Sequence, residues 1–150
     1  MTQATQTKTS GEILNTVYKT LKTSIDSILN LMPKVKNEAM KSDMTVQLSA
    51  LEAFASRTVK LLAEEDIKPQ DEGTLSKMSA KWGTMVNTMM DSSASHLAQL
   101  MIEDATAGAT ELTRILRESE NKNVSEAVLR LLRDVCAFEE KIIKDMKTYL

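Results

Sequence analysis

The stretch ASHLAQLMIEDATAGATELTRIL, Ala94 to Leu116, decides the fold. Its apolar and small residues Leu97, Met101, Ala105, Gly108, Leu112 and Ile115 stand three or four positions apart, the seam of an α-helix packed lengthwise against other helices. Between Ala105 and Thr110 the sequence ATAGAT holds nothing larger than threonine. Small residues on a seam let a neighbouring backbone or a bulky side chain approach closely, because no side chain holds it off. Ala105 and Gly108 are therefore expected to mark a close packing point.

Similar seams appear on either side. Upstream, Thr9 and Glu12 form a capping box, and Leu14, Tyr18, Leu21, Ile25, Ile28 and Met32 follow at helical spacing. Pro33 ends that helix by pushing Met32 out of helical geometry. Asn37 is placed to cap the next helix, with Glu38 favouring its amino-terminal dipole. That second seam runs Met40, Met44, Leu48, Leu51, Ala55, Val59 and Leu62, and gives out in the loop EEDIKPQDEG. A third begins with Leu75, Met78, Trp82, Met85 and Met89, then slips in phase at DSSAS before Leu97. Either one helix continues from Thr74 to about Ser119, or it breaks near 91–95 and restarts at a serine cap. The absence of Pro or Gly at the slip favours continuity. Downstream, Asn123 and Glu126 pair as a cap, and Val128, Leu132, Val135, Phe138, Ile142, Met146 and Tyr149 form the last seam.

Four amphipathic helices with short connections predict an all-α, antiparallel up-down-up-down four-helix bundle. Residues 9–150 would form one domain behind a disordered tail, 1–8. A hydrophobic fraction of 42% fits a globular core, in which Leu and Met rather than the scarce aromatics carry the load. Net charge is −2, with no Lys/Arg patch interleaved with aromatics, which argues against nucleic acid as a partner. The polar, threonine-rich amino terminus is no signal peptide, and no apolar run reaches spanning length, so the expected location is cytoplasmic. Cys136, the only cysteine, lies between apolar neighbours and reads as a buried, inert thiol.

The order of LMPKVKNE at the first turn, the Trp82 helix, MMDSSASHLAQLMIEDATAG and the ending FEEKIIKDMKTYL resembles the ferritin-like superfamily, in particular small bacterial bundles of about this length. The resemblance implies a four-helix core. Metal-binding members carry Glu and Glu-x-x-His on facing helices. This chain departs from that pattern, since its only histidine, His96, has Ser93 three residues earlier.

The remaining candidates are weak alone. His96 and Glu103 share a helical face and, with Glu52, could hold a metal, although one His beside acids is common on any helix. Met78, Trp82, Met85 and Met89 could line an apolar ligand pocket or a partner surface, although such stripes are more often core. Lys34, Lys36 and Lys41 read as a solvated turn diluted by Glu38 and Asp43. Ser92, Ser93 and Ser95 flank His96 without an orienting carboxylate, which disfavours hydrolase chemistry. The expectation is a cofactor-free, non-catalytic structural or interaction module, a homo-oligomer or protein-binding bundle. A ferritin-like metal or oxidative-stress protein with a non-standard site, and a carrier of a small apolar ligand, are the alternatives.

Overall fold

A computed structural model describes residues 3–69 and 83–150, with side chains accounted for from Ser10 onward. All regular structure among the described residues is helical. Four long helices carry it: α1 Gln3–Leu31, α2 Glu38–Glu64, α3 Ala94–Glu120 and α4 Glu126–Lys147. Thr9, expected as a cap, lies inside α1 rather than at its start, and residues 3–8, expected as a tail, are helical.

The helix ends follow from local chemistry. Pro33 sits in a 3-10 turn over Met32–Lys34, which closes α1 at Leu31. Asn37 caps α2 as anticipated, its side chain accepting from Met40 N at 3.0 Å. At the far end of α2, Asp66 adopts φ 60°, Ile67 N–H donates to Leu62 O, and Asp66 N–H donates to Ala63 O. That is a Schellman closure with aspartate where glycine usually sits.

The continuous third helix is not found. Asp91 Oδ1 accepts from Ser93 N at 2.9 Å, and Ser93 Oγ accepts from His96 N at 3.2 Å. Two short polar side chains thus offer the backbone a local alternative, so the helix over 83–87 stops and α3 starts afresh at Ala94. The last helix is capped two residues later than expected, by Ser125 accepting from Val128 N, while Val124 just before it is buried.

Directions follow from cross-helix contacts. α1 and α2 run oppositely: α2 leads back to Ile67, which lies against Gly11. In α2 and α4, Asp43 meets Tyr149 and Arg57 meets Asp134, which is again opposite. Thr113 facing Cys136 and Glu120 facing Arg133 set α3 against α4 in the same sense. Thr20 beside Gly108 and Glu12 and Glu118 lining one groove oppose α1 to α3. Helices α2 and α3 consequently point the same way, and the order is up-down-down-up, not the up-down-up-down order that short connections implied. Ile67 lies at the level of Gly11 and Gly83 beside Asn30, near opposite ends of α1.

One core joins these helices. The α3 seam is buried at Leu97, Met101, Ala105, Leu112 and Ile115, close to expectation. The α2 seam shifts: Gln47 and Thr58 are buried, whereas Leu48 and Ala55 are partly covered and Val59 is exposed. In α4, Glu139 rather than Phe138 takes the central layer. Phe138 instead packs tilted against Phe54 of α2, ring centres 5.6 Å apart.

Candidate functional site

One carboxylate stands inside the core, and a second, half-buried one acts on it from the neighbouring helix. Glu139 of α4 is fully buried, and Asp104 of α3 is partly buried nearby. Helix α3 makes room for the pair through a missing side chain. A Cβ at Gly108, one turn past Asp104, would lie 3.4 Å from Glu139 Oε1, 3.5 Å from its Cδ and 3.2 Å from the Thr20 methyl. The close packing point read from ATAGAT is therefore real at Gly108, and what fills it is a carboxylate.

Helix α1 supplies hydroxyls. Ser24 Oγ donates to Glu139 Oε1 at 3.1 Å, and Ser27 Oγ donates to Thr23 O at 2.9 Å. Glu139 Oε2 is buried without a hydrogen-bond partner. Burial raises the Glu139 pKa to about 8, assisted by the Asp104 charge and opposed by the Ser24 hydroxyl. Burial also raises Asp104 to about 6, opposed by the hydroxyls of Ser27 and Ser24. Both carboxyls therefore hold their protons to higher pH than ordinary acids, because burial and the neighbouring carboxylate disfavour the charged form.

Other polar groups in the core are uncharged. Gln47 is buried with both amide atoms unpartnered, and the Thr58 hydroxyl returns to Phe54 O at 2.8 Å. Burial raises the Cys136 thiol pKa, and Thr113 donates to its sulfur at 3.9 Å.

The predicted metal set is not brought together. His96 lies in the first turn of α3, near Asp91. Glu103 is exposed and accepts from Gln99 Nε2 at 3.3 Å, while Glu52 is exposed on α2, which does not neighbour α3. No group of three or more His, Cys, Asp or Glu side chains clusters among the described residues. Met85 and Met89 pack against the core, whereas Met78 and Trp82 lie outside the described residues. Ala105 is buried in the seam as expected. Ser93 serves as a cap, and Lys41 leans 3.9 Å from Glu38.

The sequence did carry a signal for the carboxylates. Continuing the four-three rhythm of α4 through Val128, Leu132 and Val135 lands on Glu139, then on Ile142 and Met146. In α3 the same rhythm from Leu97 and Met101 reaches Asp104 and then Gly108. Each acid stands beside an apolar neighbour, Ala105 or Phe138, that fits the seam spacing equally well. No described helix is long and apolar enough to cross a membrane. No known family, curated protein or solved structure matches this chain.

Proposed function

We propose that this chain is a non-catalytic helical module of ferritin-like arrangement that works by associating with a second copy of itself. The directions of its helices support the arrangement, since ferritin-like bundles use one long crossover between their second and third helices. Opposed neighbours, with α2 parallel to α3, fit that topology.

One observation carries the association. Met90 is 99% exposed in the segment just before α3, at the end of the molecule where α1 finishes and α2 begins. Three more large apolar side chains are exposed at that end: Leu29 on α1, Val46 on α2 and Leu150 after α4. Val46 stands one turn beyond Asp43, whose carboxylate receives the hydroxyl of Tyr149, next to Leu150. Isolated apolar residues on a surface are ordinary, but several at one end mark a contact. A two-fold axis through that end would set the same residues against themselves.

Sedimentation or light scattering of the full chain is the test. The wild type is expected at twice the monomer mass or more, and Met90→Asp combined with Val46→Asp at the monomer mass. A wild-type chain that is monomeric at about 100 μM, a concentration at which weak symmetric contacts populate, overturns this reading.

A further inference from the structure

We propose that two copies of this chain associate by exchanging their α3–α4 hairpins, each chain crossing to the other at the helix break over residues 88–93. The inference rests on the self-association reading and deepens it, since it says what passes between the copies.

The packing identifies the exchanging unit. Helix α3 lies along α4, and α1 along α2, more extensively than either pair meets the other. Between the pairs, polar bonds accompany the apolar core. Ser24 donates to Glu139, Arg57 pairs with Asp134 at 2.7 Å, and Tyr149 donates to Asp43. Such bonds fix a register at small net gain, because each group gives up water to make them. A hairpin that leaves its own chain finds the same partners on a second copy, so exchange forfeits none of these contacts.

The hinge lies in the sequence of the break. The short helix over 83–87 and α3 are separated by Thr88–Ser93, which contains neither Pro nor Gly. Two local bonds hold the chain bent there: Ser93 N–H donates to Asp91 Oδ1, and His96 N–H donates to Ser93 Oγ. Both are exposed and each is of modest strength. The same backbone can take helical bonds instead, since nothing in its side chains forbids them. Residues 83–120 then form one helix, and α3 is re-aimed away from α1 of its own chain.

Met90 joins the hinge to the associating end. It is 99% exposed within the break, at the same end as Leu29 and Val46. In an exchanged pair the two crossing segments meet at the two-fold axis, so each copy covers there what the closed chain leaves to water.

The test uses the full chain carrying Cys136→Ser. One batch also carries Arg57→Cys and another Asp134→Cys, sites several turns of helix away from the Met90 end. The batches are unfolded, mixed, refolded and treated with a short bismaleimide. Exchange sets residue 57 of one copy against residue 134 of the other, so a covalent dimer with one chain of each kind is expected, and neither batch alone should give one. A wild type that sediments as a dimer while the mixture stays at monomer mass overturns the exchange and leaves association standing. A monomeric wild type overturns both. Asp91→Ala with Ser93→Ala releases the bend and should raise the dimerisation constant by about fivefold or more. Ala94→Pro suits the first position of α3 but bars a helix continuing from residue 90, and should lower that constant by a similar factor. Constants unchanged in both variants would overturn the crossover at 88–93.

Discussion

The Glu139 carboxylate of α4 occupies the space that a side chain at position 108 of α3 would need, with its Oε1 3.4 Å from where that Cβ would stand. This pairing fixes the approach of α3 to α4 and leaves little tolerance. Gly108→Val is expected to destabilise the fold by about 2–3 kcal/mol, because a Cβ and two methyl groups crowd Thr20 and Glu139. Gly108→Ala gains helix propensity of about 1 kcal/mol and loses a comparable amount to crowding, so it should be nearly neutral. Urea unfolding of the two variants checks both signs.

The carboxylate pair makes stability depend on pH. Asp104 and Glu139 have folded pKa values of about 6 and 8, above their ordinary 3.8 and 4.5. The folded state therefore binds more protons than the unfolded chain across this range, and stability falls as pH rises through it. The wild type should lose on the order of a few kcal/mol between pH 5 and pH 9. Glu139→Gln should flatten most of that slope and be the more stable protein at pH 9. A wild-type urea midpoint that climbs with pH would contradict the arrangement.

Gln47 is buried in the core with neither amide atom bonded. Exchanging it for the similarly shaped methionine removes two unsatisfied polar atoms and keeps the volume. Gln47→Met should stabilise the chain by about 1–2 kcal/mol in chemical denaturation. A loss of stability instead would mean that the amide serves a partner within the core.

Asp66 holds a left-handed backbone at the end of α2, with φ 60°. Glycine adopts that conformation without a Cβ clash, and position 66 is where a Schellman closure prefers it. Asp66→Gly should raise stability by about 0.5–1 kcal/mol. Asp66→Val should lower it by more, a contrast that thermal melts of the pair will resolve.

Helix existence was written in the chain. Spacing of three and four marked the buried faces of α1 and α3, Pro33 and Asn37 fixed the first turn, and the small residues around Gly108 announced close contact. These features are local, set by backbone sterics, hydrogen bonding and side-chain size within a few residues. The break at Asp91–Ser93 was less legible, because it depends on polar side chains outcompeting the helix for its own backbone.

What only the tertiary structure decided was direction and company. Periodicity says which face of a helix is buried but not what it meets. The 65–93 connection is long enough to leave α3 free to run either way, and here it runs parallel to α2. That choice brings Asp104 to Glu139 and both to the serines of α1, three helices' worth of groups separated by 115 residues at the widest bond. A lone acid on a seam looks like a solvated slip of the pattern. Only the packing of three helices around it turns it into a buried carboxyl group with a raised pKa.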